Sequence, residues 1–136
     1  MENINTLLIV ALILVIAYVA YGAFRIWSAA QKAKIKPEQR GMIMILILLL
    51  ATKIFYLIAC YFLINGSETH SPNLFWALVY MAVASLACCF AQTQISVKAT
   101  GKIGKEPQAF SWAIIKNAIP ELFPILGMAM IVLLCN

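Results

Sequence analysis

Ile119-Pro120-Glu121-Leu122-Phe123 lies near the middle of an apolar run, residues 109–135, and its reading decides the fold. A carboxylate at bilayer depth costs about 2.5–3.5 kcal/mol on insertion scales, so such a residue points to an ion path. Three further runs are long enough to cross a bilayer, for which about 20 apolar residues suffice. Residues 3–24 and 74–97 carry no charge, residues 41–65 carry only Lys53, and 109–135 carry Lys116 and Glu121. Counted from Gly41 and from Ala109, Lys53 and Glu121 both lie roughly 18 Å from one end of their spans at 1.5 Å per residue. That depth is close to the middle of a hydrocarbon core about 30 Å thick, so both charges belong to one layer.

The composition excludes a water-soluble domain: 64% of the 136 residues are hydrophobic and 11% are charged. An all-α membrane protein of four transmembrane helices follows, with helices over about 4–28, 41–65, 74–98 and 109–135. It is organised as a first hairpin (1–65), a polar loop (66–73) and a second hairpin (74–136). No room remains for a soluble catalytic domain, and the isolated chain is read as non-catalytic. The N-terminus lacks a basic n-region and a small-residue cleavage site, so the first segment is read as a retained helix.

The net charge of +5 is concentrated in two connections. Arg25, Lys32, Lys34, Lys36 and Arg40 flank the first, and Lys98, Lys102 and Lys105 flank the second, whereas residues 66–73 hold neither Lys nor Arg. Positive-inside counting places the 29–40 and 98–108 loops in the cytoplasm and both termini on the opposite side. This basicity is a membrane signature and not one of nucleic-acid binding. Cys60, Cys88, Cys89 and Cys135 show no metal-ligand spacing and are read as packing residues. His70, alone in the polar loop, is read as neither a metal ligand nor a catalytic group.

The two hairpins echo each other. Lys34-Ile35-Lys36-Pro37-Glu38 resembles Gly104-Lys105-Glu106-Pro107-Gln108, and Lys53-Ile54-Phe55 resembles Glu121-Leu122-Phe123 with a two-residue offset. A duplication and a chance likeness of two apolar hairpins both account for this. In helix three, Ala84, Ala87 or Cys88, and Ala91 present a small-residue face of the kind that admits a neighbouring helix. Gln92 extends that row as a ligand or as a partner of a neighbouring backbone group. Pro120 and Pro124 flank Glu121; each removes a helical donor, giving either a plain kink or a locally opened backbone.

Phe90-Ala91-Gln92, Lys105-Glu106-Pro107-Gln108-Ala109 and Ala118-Ile119-Pro120-Glu121-Leu122-Phe123-Pro124-Ile125-Leu126-Gly127 together resemble the membrane proteolipid of V-type and A-type rotary ATPases, the ring-forming component of their membrane sector. The spacings from Gln92 to Pro107 and from Pro107 to Glu121 are similar to those of that family. The resemblance implies a homo-oligomeric ring in the membrane. In such a ring Glu121 carries a proton or a sodium ion between half-channels of a stator subunit that supplies an arginine. The basic loops meet a central-stalk connector. No cofactor is implied beyond the translocated ion. Sodium-type members carry a Thr-Gln pair in helix two. By that analogy the sodium ligands would be Glu121, Gln92, Thr52 and a carbonyl near Leu49, with Lys53, Pro120 and Pro124 modulating the site.

Two departures stand out. Helix one has only Gly22, and helix three has no glycine where the family is glycine-rich. More importantly, Lys53 stands where an amide is expected. Its ammonium would supply the charge that sodium or a proton otherwise brings, which makes protons the favoured cargo. Lys53 has three outcomes: a neutral ligand, an ion pair with Glu121, or a side chain that snorkels elsewhere. The alternatives to a rotor subunit are a structural four-helix membrane subunit with an inert Lys53–Glu121 bridge and a small proton-coupled multidrug transporter. The last is disfavoured because helix one has no acid after Glu2.

Overall fold

In lipid every backbone donor and acceptor must be satisfied within the segment, so apolar runs of this length fold as helices. The structure, a computed structural model, describes residues 2–67 and 71–135. His70, and with it any role for that side chain, lies outside the described residues. Among the described residues, four helices are long and apolar enough to cross a membrane: α1 (Glu2–Lys32), α2 (Arg40–Asn65), α3 (Leu74–Ile103) and α4 (Ala109–Leu134). A 3₁₀ turn, Pro37–Gln39, leads into α2.

Helices α1 and α3 run past the ends expected at about 28 and 98. The residues beyond those points keep a buried face: Ala30 on α1, and Ala99, Thr100 and Ile103 on α3. At 31 and 30 residues, both helices exceed what a core about 30 Å thick requires at 1.5 Å per residue. Their surplus carries Lys32, Lys98 and Lys102 at the end where the basic loops lie. Trp27 and Trp112 are exposed near that end, and Trp76 and Tyr61 near the other, as interfacial anchors tend to be.

The helices alternate in direction, and side-chain bonds tie their ends together. At the basic end Gln39 Nε2 donates to the Ile103 carbonyl (3.3 Å). At the other end Asn65 Nδ2 donates to Asn5 Oδ1 (3.2 Å), and Ser67 Oγ donates to the Cys135 carbonyl (2.7 Å). Helix α3 is the centre of the packing and lies along both α1 and α4, while α2 closes against α1 and, over a shorter length, α4. The buried face of α3 carries a polar stripe: Ser85, Gln92, Thr93, Ser96 and Thr100. Thr93 and Thr100 donate back to the carbonyls one turn earlier, both at 2.7 Å. The four cysteines are buried free thiols. Of these, Cys60 meets Met128 with its Sγ 3.2 Å from the thioether sulfur.

Helix α1 ends in a Schellman motif. Ile35 N–H donates to the Ala30 carbonyl and Lys34 N–H to the Gln31 carbonyl, both at 3.2 Å. The motif needs a left-handed residue, and Lys34 takes that role at φ 53°. A side chain there is strained, so Lys34→Gly is expected to raise stability by about 1 kcal/mol. A higher midpoint of thermal unfolding in detergent is the result to look for; a lower one would mean that the Lys34 side chain supports the turn.

Candidate functional site

Helix α2 presents one face to the second hairpin. Positions 49, 52, 53 and 56 recur at helical spacing, so the Leu49 carbonyl and the side chains of Thr52, Lys53 and Tyr56 cluster over two turns. Across from them α4 contributes Glu121 and α3 contributes Gln92. Lys53 is fully buried, whereas the Glu121 side chain keeps 14% of its surface exposed. The two form an ion pair, which is one of the three outcomes open to Lys53 from sequence.

The ammonium has three N–H donors, and each finds an oxygen. They reach Glu121 Oε2, the Leu49 carbonyl (2.7 Å) and Thr52 Oγ1 (2.9 Å). The carboxylate is equally well surrounded. Glu121 Oε2 accepts from Lys53 and from Gln92 Nε2 (2.6 Å), and Oε1 accepts from the Tyr56 hydroxyl (2.7 Å). The Thr52 hydroxyl, with a single proton, lies between Glu121 Oε1 (2.9 Å) and the Leu49 carbonyl (2.7 Å). Cys88 Sγ is 3.8 Å from Oε2. An ionised carboxylate only accepts, and this one faces donors on both oxygens, which matches the charged form.

The amide of Gln92 has two tasks: besides Glu121 it donates to the Asn117 carbonyl at 3.0 Å. That carbonyl belongs to the helical turn before Glu121, so Gln92 ties α3 to α4 beside the carboxylate. Its own Oε1 is buried without a partner. Asn117 Nδ2 donates to Ser96 Oγ (3.3 Å), which extends the polar seam towards the basic end.

Helix α4 runs through Pro120 and Pro124 without interruption. The prolines leave the Lys116 and Pro120 carbonyls without their usual i+4 donors. The backbone is therefore not broken at Glu121, and the α4 carbonyl that the site bonds is that of Asn117. Pro120 instead lines an apolar groove between α3 and α4 with Ala84, Ala87 and Cys88. Pro124 is buried. Of the small-residue face, Ala84 and Cys88 are buried, Ala91 is half-buried and Ala87 is exposed.

Of the site residues expected from sequence, Glu121, Gln92, Thr52, the Leu49 carbonyl and Lys53 come together, whereas Pro120 lines the neighbouring groove and Pro124 is buried in α4. Tyr56 and Asn117 are additions that the structure makes. The signal for Tyr56 is present in the sequence, since it lies one turn beyond Thr52 and Lys53 on the same face. Asn117 lies one turn before Glu121 and acts through its backbone, which no side-chain pattern reveals. Among the described residues no cluster of three His, Cys, Asp or Glu side chains suits a metal ion.

The family model of the ATP synthase C subunit matches residues 75–134, which include Gln92, Asn117 and Glu121. This hairpin belongs to the ATP synthase proteolipid family. No curated protein matches the chain. The family match and the four long apolar helices among the described residues fit an integral multi-pass membrane protein. The matched family is that of the ring-forming, ion-translocating proteolipids of ATP synthase-type complexes.

Proposed function

We propose that the chain is the rotor subunit of a V/A-type ATPase or ATP synthase, with Glu121 as the group that holds the transported cation and protons as its cargo. The observation that carries this reading is the convergence of Thr52, Tyr56, Gln92 and Lys53 on Glu121, a carboxylate near mid-membrane depth inside the proteolipid-family hairpin. Facing lipid, the site must be neutral, and the Lys53–Glu121 pair is neutral while it holds one exchangeable proton, carried on Lys53 Nζ; facing the stator, the pair releases that proton and Glu121 stays ionised. Facing the stator, Glu121 must find a competing positive charge, the role proposed for a stator arginine. The donors around the carboxylate orient it, so exchange requires that hydrogen bonds be traded and that one proton pass from the pair to an acceptor in the exit half-channel.

The basic loops between α1 and α2 and between α3 and α4 are the proposed cytoplasmic face and the contact for the central-stalk connector. The V/A assignment is supported by the four-helix form with one carboxylate per chain at mid-depth. A second reading is favoured by the same pair. Because the ammonium has all its donors engaged, the chain also suits a structural four-helix membrane subunit in which the bridge is inert. Two measurements separate them. Extraction in mild detergent is expected to give a ring-sized oligomer. In vesicles carrying the whole complex, Glu121→Gln is expected to abolish ATP-driven proton uptake. Uptake undiminished in that variant would hand the case to the structural reading.

A further inference from the structure

We propose that the groove between α3 and α4 at the basic end of the bundle binds an anionic glycerophospholipid. Its phosphate lies among Lys98, Lys102 and Lys116, and an acyl chain runs along the apolar continuation of the same groove. The site is separate from Glu121 and independent of which ion that residue carries.

Two sequence rows build the groove. Lys98 and Lys102 are one turn apart on α3, and Trp112 and Lys116 are one turn apart on α4, so each pair shares a helix face. The two faces meet across a groove of about 560 Å³, whose lining includes the buried Ala99, Ala109 and Ala113. The three lysines are exposed, and among the described residues none of their ammonium groups is held in an ion pair. Glu106 is the acid of the lining, so the groove carries three positive charges against one negative. Helix α4 begins here, at Ala109, and its N-terminal end adds a partial positive charge.

Depth separates a lipid from a soluble anion. Lys116 lies seven residues past Ala109, about 10 Å farther in at 1.5 Å per residue. It nonetheless lines the same groove as Lys102, its stem running along the wall towards the basic end. Basic pockets between membrane helices at this level attract anionic head groups. Trp112, 61% exposed, is the residue type that sits at head-group level. One turn farther in, the same two rows become apolar. Val83, Ala87 and Ala91 of α3 and Ile119, Pro120 and Phe123 of α4 line a stretch of about 400 Å³. An acyl chain spans about half of a core roughly 30 Å thick, which equals about ten residues of helix. Counted inward from Lys98, the chain ends beside Cys88, which lines this stretch too.

Charge complementarity favours a lipid over a second copy of the chain. Copies side by side in one orientation bring their basic ends to one level. The first loop alone adds Lys32, Lys34, Lys36 and Arg40 there, against Glu38. Three further lysines in the groove would meet that basic end as like charges, whereas a lipid phosphate offsets them.

The test is native mass spectrometry of the detergent-extracted oligomer, titrated with phosphatidylglycerol or with phosphatidylcholine of the same acyl chains. Wild type is expected to prefer phosphatidylglycerol by about ten-fold or more. In Lys98→Gln/Lys102→Gln/Lys116→Gln its affinity is expected to fall roughly a hundred-fold, because each lysine near a head group contributes about five-fold. Lys32→Gln/Lys34→Gln/Lys36→Gln removes the same charge at the same end outside the groove, and a loss below about five-fold is expected. Glycerol phosphate carries the charge without a chain and is expected not to displace the lipid. Equal affinity for the two lipids overturns the proposal, as do equal losses in the two triple variants. Displacement by glycerol phosphate overturns it in favour of a free-phosphate site. A wild-type oligomer that binds neither lipid and shields Gln94→Cys from a soluble maleimide shows a second copy in the groove instead. Should the groove variant fail to assemble, Glu106→Gln decides: removing the acid is expected to raise affinity for phosphatidylglycerol about five-fold, and an unchanged affinity overturns the site.

Discussion

Glu121→Gln lowers the stability of the folded chain by about 3–5 kcal/mol, the usual cost of removing one partner of a buried ion pair. Lys53 is the reason. It has no exposed surface, so without Glu121 its ammonium is left charged among a carbonyl and a hydroxyl. The reverse change, Lys53→Gln, is expected to be milder. Glu121 keeps 14% of its side-chain surface exposed and retains Tyr56, Thr52 and Gln92 as partners. Its partly exposed edge also lets it become neutral by taking up a proton. The double variant Lys53→Gln/Glu121→Gln removes both charges and is expected to recover most of the loss, giving a large coupling in a double-mutant cycle. Unfolding of the four proteins in detergent measures it. A Lys53→Gln protein less stable than Glu121→Gln would show that the carboxylate, not the ammonium, is the group that burial strands.

The second large effect lies away from the site, where α1 crosses α3. A Cβ added to Gly22 would fall 2.5 Å from Thr93 Oγ1 and 2.8 Å from Leu50 Cδ1. Thr93 has little freedom to yield, since its hydroxyl is bonded to the Cys89 carbonyl at 2.7 Å. Gly22→Val is therefore expected to destabilise the chain by about 1–3 kcal/mol through overpacking. It would act by pushing α1 away from α3, and so reduce the yield of the assembled oligomer. Gly101 is the matched control. It lies in α3 with nothing within 4 Å of an added Cβ, so Gly101→Ala is expected to stabilise by about 0.5–1 kcal/mol. Thermal midpoints of the two variants, measured side by side, decide this; equal midpoints would remove close approach as the reason for Gly22. The glycine poverty of α1 and α3 is thus met by one glycine at a contact, with Ala84 and Cys88 as the small buried residues elsewhere.

Much of the architecture was legible because lipid removes alternatives. A backbone that must satisfy itself leaves a run such as 41–65 no choice but a helix, and counting residues along it gives depth. For that reason Lys53 and Glu121 could be put in one layer before any contact was known, and Gln92 and Thr52 could be brought to them through the resemblance. The ends of helices were less legible. Residues 29–32 and 99–103 are polar enough to read as loop, yet each stretch has a face that packs against the bundle.

The sequence by itself determined four spans, the basic ends, the proteolipid-family hairpin and the depth of its carboxylate, since hydropathy and spacing are one-dimensional quantities. The rotation of each helix about its axis was decided only by the tertiary structure. Helix α2 is apolar nearly all round, so no amphipathic pattern says which side faces α4. Whether Lys53 points at Glu121, snorkels or stays unpaired follows from that rotation. It also follows from the packing of α3 between α1 and α4, which brings Gln92 to the carboxylate and leaves Tyr56 a place beside it.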